Sequence, residues 1–308
     1  MNYTFLFPGQ GSQKVGMGKD FFESNDIAKR RIDECKTILG RDLPSIIFNG
    51  PEDSLTQTQN TQPALFTVEC IICDILRENG VVPSLAAGHS LGEYGALYAA
   101  GVLSFADGLA IVAKRGELMA RAGATAPGTM AAVIGLSKQK ISECLAGISG
   151  TVVCANENSP EQTVISGEVP AVTQACDALK KAGAKRAMML NVSGAFHSPL
   201  MAVAAGEIAS FLEPFGFKEP ICPVVANVTA SPETSAAVLK SLLVKQLTSP
   251  VRWVETVAAI GRGDHGICCE TGPGTVLAGL VKKCNSSVNV VPCGTVEDVY
   301  SVVHKSAI

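Results

Sequence analysis

The residues best suited to chemistry lie at Gly88-His89-Ser90-Leu91-Gly92. An apolar run, Leu85-Ala86-Ala87, leads into them, and a helical pattern (Tyr94, Leu97, Tyr98) starts straight after. Strand, G-x-S-x-G turn and helix together describe a nucleophile elbow, in which a strained turn holds a serine hydroxyl clear of the sheet. Glycines two residues either side let strand and helix approach closely. Ser90 then stands at a helix N-terminus, where free N–H groups favour developing negative charge. A serine nucleophile needs a base, and the chain has four histidines. His89 adjoins the serine and is expected to point away from it. His265 lies in a Gly-rich turn and His304 in a tail. His197, in the Gly/Pro-bounded loop Gly194–Pro199 far downstream, is the candidate that remains. Asp264 and Asp107 are formal candidates for an orienting carboxylate, but neither has a distinctive context. Arg115, 25 residues beyond the serine, reads either as an exposed helix charge or as a clamp for a substrate carboxylate.

These groups need a scaffold. Tyr3–Phe7 reads as a strand running into Pro8-Gly9-Gln10-Gly11-Ser12-Gln13, a glycine-bracketed turn able to turn its N–H groups into a cleft. In a serine acyl-transfer enzyme such a loop gives one oxyanion donor, and the residue after the nucleophile, Leu91, gives the other. Helices are expected over Phe21–Leu39, through an apolar stretch ending near Asn79, over Tyr94–Ala100 and over Phe105–Ala122. Gly123–Gly128 reads as a linker. Beyond it come strand Met130–Gly135, helix Lys138–Leu145, strands Thr151–Ala155 and Thr163–Ser166, helix Val169–Ala182 and strand Arg186–Val192. That order, βαββαβ, is the ferredoxin-like one. Asn156, Asn158 and Gln162 fall in the loop between its middle strands. The chain then returns to the main unit, with strands at Ile221–Asn227, Ile267–Glu270 and Val288–Pro292 and helices at Pro199–Leu212, Thr234–Gln246, Val251–Ile260 and Thr275–Cys284. Gly261-Arg-Gly-Asp-His-Gly266 spells G-x-G-x-x-G, but it follows a helix and precedes a strand, the reverse of a dinucleotide site.

Composition narrows the functional classes. With 308 residues, 47% of them hydrophobic, the chain can hold one large core and a satellite. A net charge of -3 gives no general attraction to nucleic acid or anionic membrane. Residues Ala187–Gly206 carry no formal charge, yet Asn191, His197 and Pro199 argue against a membrane span. Eleven irregularly spaced cysteines, with Cys70-x-x-Cys73 lacking a second such pair to complete a zinc site, suit free thiols in a reducing cytosol better than disulfides or zinc. The apolar run Tyr3–Phe7 is too short for a signal peptide, so a cytoplasmic protein is expected.

Five motifs taken together carry a resemblance. Phe7-Pro8-Gly9-Gln10-Gly11-Ser12-Gln13, Thr61-Gln62-Pro63-Ala64, Gly88–Glu93, Gly194-Ala195-Phe196-His197-Ser198-Pro199-Leu200-Met201 and Gly272-Pro273-Gly274 stand in the order found in malonyl-CoA:acyl carrier protein transacylases. The resemblance spans essentially the whole chain. It implies an α/β fold, with an α/β-hydrolase-like core (1–126 and 194–308) and an inserted ferredoxin-like subdomain (127–193). It implies Ser90 as acyl-accepting nucleophile and His197 as general base and acid, with the Gln10 and Leu91 N–H groups as oxyanion hole. Arg115 would grip the malonyl carboxylate, the Gln246 carbonyl would orient the histidine in place of a triad carboxylate, and Gln62 and Asn158 would line the acyl pocket. Phe196 resembles the malonyl-selecting form, whose bulk leaves less room for an α-methyl group. The implied reaction is ping-pong malonyl transfer from malonyl-CoA to acyl carrier protein, for fatty acid synthesis, by a monomer needing no metal or cofactor. Acyl carrier protein is generally acidic, so Lys185-Arg186 or Lys282-Lys283 would dock it. Three other readings share these residues: a serine esterase or thioesterase, an acyltransferase serving a polyketide or polyunsaturated-lipid synthase, and a carrier-binding module with a dead site.

Overall fold

The computed structural model describes residues 2–263 and 266–306, a mixed α/β fold with two sheets. The larger sheet holds β1 (Tyr3–Phe7), β2 (Leu85–Gly88), β7 (Val224–Val225), β8 (Pro232–Glu233), β9 (Ile267–Glu270) and β10 (Val290–Pro292). Their spatial order is β10-β9-β1-β2-β7-β8, parallel except for the last pair. The smaller sheet holds β3 (Gly128–Ile134), β4 (Val152–Ser159), β5 (Gln162–Glu168) and β6 (Arg186–Met189), antiparallel in the order β4-β5-β3-β6. Helices Lys138–Leu145 and Val169–Lys181 connect its strands as βαββαβ, as read from the sequence.

Strand β1 is buried along its whole length, as a central parallel strand covered on both faces must be. Its side chains alternate with period two: Tyr3, Phe5 and Phe7 join the core built on helix Thr58–Glu78, while Leu6 joins Leu85, Ala87 and Trp253 on the opposite face. The small sheet alternates too. Ala131 and Val133 pack under its two helices, which leaves Met130 and Ala132 on the free face. That free face turns towards the C-terminal ends of β1 and β2, and the gap between them is a cleft. Among the described residues, no helix is long and apolar enough to cross a membrane.

Several expected boundaries are corrected. The stretch 123–128 is not a linker: helix Phe105–Thr125 runs through Gly123, and β3 begins at Gly128. Gly123 is needed for close approach, since a Cβ there would lie 1.9 Å from the Ser193 carbonyl oxygen. The helix expected over Phe21–Leu39 is two, Lys19–Ser24 and Asp26–Leu39, because the Asn25 side chain accepts the Ile27 N–H and starts the second. The strand expected over Ile221–Asn227 is reduced to Val224–Val225, and the helix expected from Val251 opens at Trp253. Val251 instead exchanges backbone hydrogen bonds with Ala155 and Glu157, adding a parallel bridge to β4. That bridge and the bulges of β4 place Asn156 and Asn158 on a strand rather than in a loop, with Gln162 opening β5. Asp264 and His265, and with them part of the Gly261–Gly266 match, lie outside the described residues.

Candidate active site

The turn between β2 and helix Gly92–Ala99 holds Ser90 at φ +51°, a left-handed conformation that non-glycine residues seldom adopt. Both flanking glycines are obligatory. A Cβ on Gly88 would lie 2.0 Å from the Gly92 carbonyl, and one on Gly92 would lie 2.0 Å from the Phe7 oxygen. The strained turn is clamped from outside by Asn227, whose Oδ1 accepts the Ser90 N–H at 2.8 Å while its Nδ2 donates to the Gly88 oxygen at 2.6 Å. The Leu91 N–H at the start of the helix and the Gln10 N–H in the loop after β1 donate to no protein group among the described residues.

His197, 107 residues from Ser90 in sequence, stands with Nε2 2.8 Å from Ser90 Oγ. It too adopts a left-handed conformation, φ +57°. Nδ1 faces two carbonyl oxygens, of Gln246 at 2.9 Å and of Ser249 at 3.2 Å. Carbonyls only accept, so the proton sits on Nδ1 and Nε2 keeps its lone pair for the serine. Burial, then the field of Arg115, pulls the imidazole down to about 3, so the resting ring is neutral. Asp107 has no part in this arrangement. It faces solvent and bonds Ser104 at the N-terminus of its own helix.

Arg115 is not an exposed helix charge: it is a buried cation, 1% exposed. Nη1 donates to Gln62 Oε1 at 2.6 Å. Nη2 donates to Gln246 Oε1 at 2.9 Å and to Ser90 Oγ at 3.1 Å. Its carbon lies 5.5 Å from the centre of the Tyr94 ring. Among the described residues no carboxylate bonds to it, and its Nε has no acceptor. Burial lowers its proton affinity, and the nearby Tyr94 and Glu93 offset only part of that cost.

These groups open onto a cleft of about 240 Å³ lined by Gln10, Gln62, Ser90, Leu91, Arg115, Asn158, Phe196 and His197. Eight of the nine site residues named from the sequence therefore share one cavity, and Gln246 stands immediately behind it. The free face of the small sheet supplies Met130, Ala132 and Val164. His89 does not point away, as expected, but lines the cleft. Its Nε2 meets Asn158 Oδ1 at 2.8 Å, which ties the elbow to the small sheet.

Other groups carry no such signal in the sequence. Asn227 and Glu93 join the site through contacts 134 to 153 residues apart. Glu93 lies inside the quoted elbow motif, the one hint of it, while Asn227 has none. Thr58, which donates to Gln10 Oε1 and accepts from Gln62 Nε2 (both 2.8 Å), is equally silent.

Known proteins give this arrangement its family. The acyl transferase domain family model matches residues 4–300. The malonyl CoA-acyl carrier protein transacylase of Bacillus subtilis is 43% identical over 94% of this chain and 92% of its own length. Its namesake from Synechocystis is 43% identical over 98% and 100%. Among solved structures, an acyl carrier protein S-malonyltransferase from Vibrio cholerae superposes with a TM-score of 0.94 at 39% identity, covering 98% of this chain and all of that one. A malonyl-transacylase in complex with its type II PKS acyl-carrier protein gives 0.96 at 40% identity, covering 99% and 100%. On similarity of this extent, the chain belongs to the acyl transferase family, as one of its malonyl CoA-acyl carrier protein transacylases.

Proposed function

We propose that this protein moves a malonyl group from malonyl-CoA to the phosphopantetheine thiol of acyl carrier protein, through a malonyl ester on Ser90, and so supplies fatty acid synthesis. The observation that carries the reading is the buried Arg115 guanidinium, bonded to no carboxylate among the described residues, 3.1 Å from Ser90 Oγ. A neutral acyl chain leaves that cation without a directly bonded carboxylate, whereas the malonyl carboxylate pairs with its planar donors.

In the first half-reaction Ser90 Oγ gives its proton to His197 Nε2 and bonds to the thioester carbon. The resulting oxyanion sits against the Gln10 and Leu91 N–H groups. The C–S bond breaks, and the CoA sulfur takes the proton from Nε2. In the second, the carrier thiol gives its proton to Nε2 and attacks the serine ester, and Ser90 Oγ leaves with that proton. The Gln246 carbonyl keeps the other ring proton on Nδ1 throughout, so no carboxylate completes the triad. Gln62 and Asn158 line the acyl pocket, and Phe196 restricts its width beside the α-carbon.

Nucleophile, base, oxyanion donors and carboxylate receptor all come from one chain, so the reaction runs in a monomer and calls on no metal or cofactor. Residues 1–126 and 194–308 form an α/β-hydrolase-like subdomain, and 127–193 a ferredoxin-like one. The strand order β4-β5-β3-β6 and the mostly parallel larger sheet support that division. Eleven free thiols suit a reducing cytoplasm. The basic pairs Lys185-Arg186 and Lys282-Lys283 offer docking points for an acidic carrier.

The deciding experiment exposes the protein to malonyl-CoA and, separately, to acetyl-CoA, with intact and peptide masses taken after each. A malonyl adduct on Ser90, discharged by holo acyl carrier protein and weak from acetyl-CoA, is expected. No adduct from either donor, together with rapid ester hydrolysis, would overturn the proposal in favour of a hydrolase.

A further inference from the structure

Glu93 is fully buried in the first turn of the helix that follows Ser90, and the reaction above gives it no part. Its Oε2 accepts the Asn227 N–H at 3.0 Å and the Gln246 Nε2 at 2.8 Å, while its Oε1 has no partner. The Gln246 side chain thus bridges Glu93 and Arg115. Its NH2 group donates to Glu93 and to the Ser90 carbonyl at 3.0 Å, and its Oε1 accepts from Arg115 Nη2.

We infer that Glu93 is a positioning residue for donor selectivity: it locks the Gln246 amide with its oxygen towards Arg115, and so holds the guanidinium beside Ser90 without pairing with it. The inference rests on Arg115 receiving the malonyl carboxylate. Turning the amide over would set its NH2 against the guanidinium and its oxygen against Oε2. Both bonds would become contacts between like partners, in a site too buried for water to relieve them. The amide spacer matters as much as its orientation. A carboxylate at position 246 would ion-pair with Arg115 and satisfy the cation before substrate arrived. An amide oxygen orients the fork through a dipole and leaves the charge to be matched. Oε2 accepts both bonds whether Glu93 is ionised or neutral, because a proton has the unpartnered Oε1 to occupy.

A second arm separates two effects. Through the Asn227 N–H, Glu93 also steadies the clamp on the Ser90 turn, and that arm serves every donor alike. Only the Gln246 arm distinguishes malonyl from acetyl. The ratio of acylation rates from the two donors, measured as kcat/KM by rapid-quench mass spectrometry, therefore reads the selectivity arm alone.

Three variants test this. Glu93→Gln, whose amide oxygen takes the place of Oε2, is expected to keep the ratio within about threefold. Glu93→Ala is expected to lower it at least about tenfold. The double variant Glu93→Gln with Gln246→Glu keeps total charge but moves the anion onto Arg115, and is expected to lower the ratio at least as far while melting as a folded protein. An Ala variant that loses both donors by the same factor, or a double variant as selective as the wild type, would overturn the inference. Where the Ala variant does not fold, the double variant decides. A wild type that accepts acetyl as readily as malonyl would refute the underlying role of Arg115, and this inference with it. A selective wild type whose double variant is equally selective refutes this inference alone.

Discussion

Replacing Arg115 with methionine should divide malonyl from acetyl donors. The guanidinium is buried, has no carboxylate partner among the described residues, and directs Nη2 at Ser90 Oγ. A malonyl carboxylate adds two charge-assisted hydrogen bonds, each contributing about 1.5–3 kcal/mol. Their loss is then ~3–6 kcal/mol, or roughly 10²- to 10⁴-fold in kcat/KM for malonyl acylation. An acetyl donor makes neither bond, so its rate should change less than about tenfold, through the freed oxygens of Gln62 and Gln246. Arg115→Lys retains a charge but not the fork, and should recover no more than about one bond's share. The assay is the time course of acyl-enzyme by intact mass at sub-saturating donor, with a thermal melt to show that each variant folds. Equal losses for both donors would refute the carboxylate role. A lysine variant as fast as wild type would refute the argument from the planar fork.

Three further outcomes are expected. His197→Ala should slow Ser90 acylation by about 10²- to 10⁴-fold, because no other base among the described residues bonds to Oγ; a loss below tenfold in the burst phase would contradict that assignment. Gly92→Ala drives a Cβ to 2.0 Å from the Phe7 oxygen, and should cost several degrees of melting temperature; a melt within about 2 °C of wild type would contradict the close packing. Burial raises Glu93 from 4.5 to about 7, so between those values the native state binds more protons than the unfolded chain, and this group's contribution to stability falls as pH rises. The melting temperature of Glu93→Gln, measured relative to wild type, should therefore increase from pH 5 to pH 8, by the equivalent of at most about 3 kcal/mol; a difference that does not change with pH would show that Glu93 titrates normally.

The elbow was legible because its requirements are local. Gly88, Ser90 and Gly92 sit within one turn, and each glycine answers to a backbone atom that only a strand–turn–helix brings so close. The βαββαβ order was legible for a similar reason, as strand and helix periods alternate along a short stretch. The failures share another cause. Asn156 and Asn158 look like turn residues, yet the bulges of β4 and its bridge to Val251 draw them into a strand. Alternation along an extended chain would turn His89 away from Ser90. The turn leaves the extended conformation at Ser90, and the ring faces the same cleft. Asn227 was out of reach because its worth lies in two backbone atoms of a turn 137 and 139 residues away, and nothing in its own neighbourhood encodes that pairing.

A buried cation beside a base is an awkward arrangement, and its awkwardness explains the chemistry. Desolvation is the first cause of the low proton affinity of His197, and the positive field of Arg115 the second; the carbonyls of Gln246 and Ser249 push back only in part. His197 is therefore neutral, and as the proposed base it would be a weak one. In the proposed reaction a donor carboxylate seated on Arg115 would cancel the second cause and leave the carbonyl contacts in place, so His197 would accept the serine proton more readily with malonyl bound. An acetyl donor fills the same cleft without supplying that negative charge. The gain is made in the acylation transition state, where the imidazolium forms, more than in the ground state, where the ring is neutral. Selectivity built this way would appear in the rate of acylation at saturating donor as well as in binding, and it would belong to the Arg115, His197 and Ser90 contacts as a unit rather than to the fork alone.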